Sequence, residues 1–328
     1  MNQMRQFLTT LVVVWMAAAI AAYIYSQQLQ IPLRIAFAVL PAFLVEIVFY
    51  LAPGFAAVRK AFDRLGSKAF RAVLLAGSGV VPYLIESLRT GTFELTSFLM
   101  LLALVLVASF WYASVRRSVP VDLLFLAFMA AVYLSKIFDQ VYGRPAPHLA
   151  LAILGKVMWI RLGVMAVLSL RSIEDARFGF VPAPREWRTG VLMYVCFLPV
   201  GVALVWIVRF ARFHPLPLVW WKFALLLVGT FFGFLWVVAL AEEFFFRVFL
   251  QQLLAHETRS DFIGLILASA LFGVAHLWFG QFPNWRFGVV GAVAGLFYGV
   301  AFLKSRSIRA SMVTHALVAT TWRMLFTG

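Results

Sequence analysis

The run Ala241-Glu242-Glu243-Phe244-Phe245-Phe246-Arg247 sets two adjacent carboxylates and one guanidinium inside an apolar segment. A carboxylate at the centre of a bilayer costs about 3 kcal/mol or more unless it is paired or lines a wet cavity. Two side by side add mutual repulsion. Packing does not call for such an arrangement, so the run reads as a functional site. On a helix Glu243 and Arg247 stand at i and i+4, the spacing of a pair along one face. Glu242 lies about 100° around the helix and has no such partner. One carboxylate is neutralised and the other is left for chemistry.

Composition supplies the setting. The chain is 64% hydrophobic and 12% charged, with a mean hydropathy of +0.95, against about 25% charged residues in soluble domains. It reads as an all-α polytopic membrane protein. The net charge of +15 does not point to nucleic acid, because the basic residues fall in short clusters between hydrophobic spans. That is the pattern of loops facing anionic lipid. The single cysteine, Cys196, excludes an intrachain disulfide and a thiolate metal cage; set in an apolar run, it is expected to be a small buried hydrophobe.

About eleven apolar segments have spanning length, near 7–26, 31–53, 72–89, 96–114, 120–138, 149–170, 190–208, 218–246, 262–280, 286–303 and 310–326. The first reads as an uncleaved anchor. Sixteen Lys and Arg residues fall in one set of alternate loops, including Arg59, Lys60, Arg64, Lys68, Arg71, Arg177 and Arg309, and five in the other. The bias predicts a cytoplasmic N terminus and an external C terminus. Segment 55–71 reads as a basic amphipathic helix on the membrane surface. The polar, proline-bearing stretch 171–189 divides an N-terminal helical bundle, residues 1–180, from a second domain, 181–328. Buried charges in the first half, Arg34, Glu46, Glu86, Lys156 and Arg161, are expected to pair across helices. Gly291, Gly295 and Gly299 share one helix face and read as a close-packing stripe.

Two further polar positions stand in apolar spans of the second half: His276, in Phe272-Gly273-Val274-Ala275-His276, and His315, in Met312-Val313-Thr314-His315-Ala316. Glutamate and histidine on three separate helices supply what a buried site needs to bind and deprotonate a water, with or without a metal. At about 1.5 Å per residue, His276 and Glu242 come to similar depths. His315 comes out shallower, unless the 304–309 loop dips into the membrane or the helix ends lie elsewhere. His148, His214 and His256 fall in loops and read as solvated.

The order Glu-Glu-x-x-x-Arg, then Phe-x-x-x-His, then a third-helix His resembles the CPBP intramembrane proteases. These include the type II CAAX prenyl endopeptidases, the Ras-converting enzymes, and bacterial relatives tied to bacteriocin processing or immunity. The resemblance covers about residues 180–328 and implies a CAAX-protease-like core. It implies an intramembrane endopeptidase, of glutamic or metallo type, acting on a membrane-associated protein or peptide in a bacterial inner membrane. Glu242 would activate water, aided by His276 and His315, while Glu243 and Arg247 support the site. If a metal such as zinc takes part, Glu242, His276 and His315 are its expected ligands; a glutamate mechanism requires none. The family's third motif usually continues His-x-x-x-Asn, the Asn being thought to help hold the oxyanion, and here Ala319 stands in that place. Thr320 or Thr321 is the nearest substitute. The alternatives are a catalytically impaired scaffold or immunity protein and a proton-coupled transporter. The chain shows no repeated halves of the transporter kind.

Overall fold

The computed structural model describes residues 3–173 and 178–327. The chain forms two compact units, residues 1–174 and 175–328. Residues 174–177 of the polar junction, Arg177 among them, lie outside the described residues.

Unit 1 comprises α1 (Gln3–Gln28), α2 (Leu33–Leu51), α3 (Ala56–Asp63), α4 (Lys68–Thr90), α5 (Leu95–Ser114), α6 (Val119–Leu134), α7 (Phe138–Val141) and α8 (Ala152–Met165), which runs on in wider turns to Leu170. Its core gathers on α8, where Trp159 and Arg161 are buried. The Nε and Nη2 atoms of Arg161 take both oxygens of Glu46 at 2.7 and 3.1 Å. Nη2 also donates to the Ser78 carbonyl at 2.7 Å. Pro82 explains that bond: lacking an N–H, it leaves the carbonyl four residues back without its helical donor, and a buried carbonyl needs a replacement.

The expectation of cross-helix pairing therefore holds for Glu46 with Arg161, and Lys156 stands 3.6 Å from Asp139. It fails for two residues. Arg34 is exposed. Glu86 is buried but held by the hydroxyls of Thr90 and Thr92, at 3.0 and 3.4 Å, rather than by a cation. A further pair, Asp122 with Arg171, closes at 2.5 Å. The amphipathic segment is shorter than expected: α3 ends at Asp63, and Ser67 caps a new helix through the Phe70 amide.

Unit 2 holds α9 (Pro184–Ile207), α10 (Trp220–Thr258), α11 (Asp261–Ala275), α12 (Trp285–Ser305) and α13 (Ile308–Leu325). Arg212–Phe213 pairs antiparallel with Phe326–Thr327, tying the end of the chain to the loop after α9. Small residues set the crossings. A methyl group on Gly273 would come within 2.7 Å of the Ala292 side chain, so only glycine lets α11 lie against α12 there. At Gly190, α9 touches the Ala310 carbonyl and Val313 of α13, and Thr314 donates to the Gly190 carbonyl at 3.0 Å. Arg309 pairs with Glu186 at 2.9 Å, fixing the start of α13.

Among the described residues, nine helices are long and apolar enough to cross a membrane, and the protein is an integral membrane protein. Of the eleven expected spans, α6 is only 16 residues long. Helix α13 has the length but carries Arg309, Ser311, Thr314, His315, Thr320 and Arg323, too many polar groups for a simple span. Cys196 is exposed rather than buried. An apolar run on a membrane helix can face lipid as readily as protein, which inverts the soluble-protein expectation.

Candidate active site

The site is built on α10. Its helix widens into π-type turns over Phe234–Ala239 and Phe244–Gln251, with Leu240–Glu243 as ordinary α-helix between them. Such insertions recur at functional sites because they re-aim side chains without breaking the helix. Here they flank the glutamate pair.

Glu243 and Arg247 are both fully buried, and Arg247 Nε donates to Glu243 Oε2 at 2.9 Å. This is the pair expected from the i, i+4 spacing. Arg247 Nη1 continues to Gln251 Oε1 at 3.3 Å, and the guanidinium lies over the Phe272 ring at 5.4 Å. The other oxygen of Glu243 faces His315 Nδ1 at 2.8 Å. A carboxylate only accepts, so Nδ1 carries the hydrogen in that bond. His315 is thereby turned to present Nε2 toward Glu242 Oε2, 3.9 Å away. Glu242 is the more open of the two carboxylates, its side chain 27% exposed, and its Oε2 has no hydrogen-bond partner among the described residues.

His315 therefore does not lie shallower than the glutamates. It is about 10 Å of rise from the start of α13, whereas Glu242 is about 24 Å from the end of α10. Because the two side chains face each other, the start of α13 lies nearer the site than the end of α10 does. The 304–309 turn is a tight one, with Arg306 at φ 48° closing α12.

His276 lies beside this cluster. It caps the end of α11, and its Nδ1 donates to the Phe272 carbonyl at 2.7 Å. Phe272 contacts both histidines, with ring centroids 4.5 Å from His276 and 5.9 Å from His315. The structure thus brings Glu242, Glu243, Arg247 and His315 into one network, and His276 adjoins it through Phe272. Among the described residues no three His, Cys, Asp or Glu side chains are grouped so as to hold a metal ion. Glu242, His276 and His315 as arranged do not form the three-ligand set that zinc would need.

Two participants escaped the sequence reading. The Ser311 hydroxyl reaches both Glu243 Oε2 and the Tyr298 carbonyl. Tyr298 stacks on His315 with centroids 4.6 Å apart and planes 13° from parallel. Ser311 stands four residues before His315, on the same helix face, and that spacing was the available signal. The glycine stripe also does more than pack helices. A methyl on Gly291 would meet His276 at 3.2 Å, one on Gly295 would meet Arg247 Nη2 at 3.4 Å, and one on Gly299 would meet Gln251 Oε1 at 2.7 Å. The three glycines make room for site residues on two neighbouring helices.

Neither threonine near Ala319 fills the missing amide's place. Thr321 Oγ1 is engaged with Tyr194 at 2.6 Å. Thr320 is buried, about 140° around α13 from His315. The Ser311 arrangement carries a measurable expectation. A hydrogen bond to a charged group contributes about 1.5–3 kcal/mol, so Ser311→Ala should lose stability of that order, read from thermal melting of the purified protein.

No curated protein and no solved structure matches the chain. Residues 220–321, which hold all of the network just described, match the family model described as type II CAAX prenyl endopeptidase Rce1-like. The C-terminal unit carries an Rce1-like domain of the CPBP family of intramembrane proteases.

Proposed function

We propose that the protein is an intramembrane endopeptidase in which Glu242 acts as the general base toward water. The observation that carries this reading is the division between the two glutamates. Glu243 is consumed by Arg247, His315 and Ser311, while Glu242 keeps an unpartnered oxygen beside His315 Nε2.

Glu242 takes a proton from water, and the water oxygen attacks the scissile carbonyl to give a tetrahedral intermediate. The carbon–nitrogen bond then breaks, and the proton held by Glu242 passes to the leaving amine. Glu243 fixes the orientation of His315, and Arg247 holds Glu243 in place through its ion pair. His315 Nε2 is placed to steady the attacking water or the developing charge. The Nε2 atom of His276, left over once Nδ1 is bonded to Phe272, supports the substrate side. The substrate is a membrane-associated protein or peptide. In this reading the loops rich in Lys and Arg face the cytoplasm of a bacterial inner membrane.

Purified protein should cleave a membrane peptide equally well with and without a zinc chelator. Loss of cleavage on chelation, restored by zinc, would assign the metallo type instead.

Ala319 favours a second reading, that of a catalytically silent scaffold or immunity protein. Restoring the amide separates the two. A single oxyanion donor contributes about 10²–10³-fold in rate, so Ala319→Asn should raise cleavage measurably in an enzyme lacking that donor. No turnover in either wild type or Ala319→Asn would support the scaffold.

A further inference from the structure

Attack of water on a peptide carbonyl moves the π electrons of the carbon–oxygen bond onto the oxygen. That oxygen carries a negative charge until the carbon–nitrogen bond breaks. In a site shielded from bulk water the charge needs a preorganised hydrogen-bond donor. The donors grouped around Glu242 are already spent. Arg247 gives Nε to Glu243 and Nη1 to Gln251, and its Nη2 stands against Gly295 of α12. The Ser311 hydroxyl serves Glu243 and the Tyr298 carbonyl. Thr321 is engaged with Tyr194. His276 and His315 commit their Nδ1 hydrogens to Phe272 and to Glu243. As neutral rings they offer only a lone pair at Nε2.

Tyr298 of α12 is the exception. Its ring lies nearly parallel to that of His315, with centroids 4.6 Å apart, and edge-on to Phe272 at 5.9 Å. Its phenol is within electrostatic reach of both Glu242 and Glu243. Its main-chain carbonyl accepts from Ser311, whereas its hydroxyl meets no partner among the described residues. The residue is nevertheless only 3% exposed, and a buried tyrosine hydroxyl ordinarily finds a hydrogen-bond partner. A neutral donor without an acceptor thus stands beside the histidine that faces Glu242.

We propose that Tyr298 is a catalytic residue whose hydroxyl donates a hydrogen bond to the oxyanion of the tetrahedral intermediate. The inference rests on the endopeptidase reading and extends it. The phenol keeps its proton throughout. At that stage the proton from water is on Glu242, and the oxygen's extra electron pair returns to the carbon as the amine leaves. The two carboxylates do not oppose the charge, because Glu242 is then protonated and Glu243 is paired with Arg247. Stacking on His315 holds the phenol in place before the reaction, as preorganisation requires. The donor on α12 also accounts for how the site can work with Ala319 one turn beyond His315 on α13.

Tyr298→Phe removes the hydroxyl and keeps the stacked ring. With the purified full-length protein cleaving a membrane peptide, kcat should fall by about 10²–10³-fold. KM, the melting temperature and the shape of the pH profile should stay as in wild type. Ala319→Asn should raise the rate of Tyr298→Phe by a larger factor than it raises wild type, because the new amide replaces a donor in one and only supplements it in the other. Undiminished kcat in folded Tyr298→Phe would overturn the proposal. So would a displaced pH profile, which would mean that Tyr298 acts through His315, or equal gains from Ala319→Asn in the two backgrounds. Those results leave wild-type cleavage and its dependence on Glu242 standing. No cleavage by wild type would instead overturn the endopeptidase reading and this proposal together.

Discussion

Glu242→Gln is expected to lower the rate of membrane-peptide cleavage by about 10²–10⁴-fold, the usual contribution of a positioned general base. The substitution keeps the size of the side chain and its hydrogen-bonding capacity but removes the carboxylate that takes the proton. Glu242 shares no hydrogen bond with Arg247 or Ser311, which serve Glu243, so the variant should fold with unchanged yield. Single-turnover cleavage on purified protein is the appropriate measurement, because it reports the chemical step alone. If Glu242→Gln preserves a cellular phenotype that deletion of the protein abolishes, the scaffold reading takes the place of the enzyme.

Arg247→Leu is expected to act on folding rather than on rate. Removing the guanidinium strands Glu243, which is fully buried, and an uncompensated buried charge costs about 3–5 kcal/mol. Against a typical total stability of about 5–15 kcal/mol, such a loss should reduce membrane yield and melting temperature sharply. Arg247→Lys should recover only part of it. A lysine carries the charge but not the planar fork that serves Glu243 and Gln251 together. Normal yield and stability in Arg247→Leu would contradict the assigned role.

The helical architecture was legible because spanning length is a direct physical requirement of the bilayer. Every apolar segment read from the sequence corresponds to a helix, although α6 is short and α13 polar. The Glu243–Arg247 pair was legible for a similar reason, since its spacing lies within one helix. What escaped was whatever depends on how separate helices meet. Ser311 and His315 reach Glu243 from 68 and 72 residues away, and no local pattern announces that contact. The contact of Phe272 with His276 is local to α11, but the one it makes with His315 depends on how α11 meets α13. Depth counting misplaced His315 because it took the ends of helices to be level with one another.

Burial expectations failed where lipid replaces water. Cys196 and Arg34 are exposed although both lie in or beside apolar runs. Glu86 is buried with hydroxyl partners because a membrane carboxyl can be accommodated by hydrogen bonds as well as by a cation. The glycine stripe was read as packing, which it is, but what it packs around is the site itself.

The central claim is that this chain hydrolyses a peptide bond by direct attack, on the scissile carbonyl, of a water that Glu242 deprotonates. Cleavage of a membrane peptide by the purified wild-type protein in ¹⁸O-water, read by mass spectrometry of the fragments, tests it most directly. The account predicts two fragments, with the heavy oxygen in the new carboxylate of the N-terminal one and no covalent adduct on the protein. Intact peptide after prolonged incubation, or an acylated protein side chain, would contradict it.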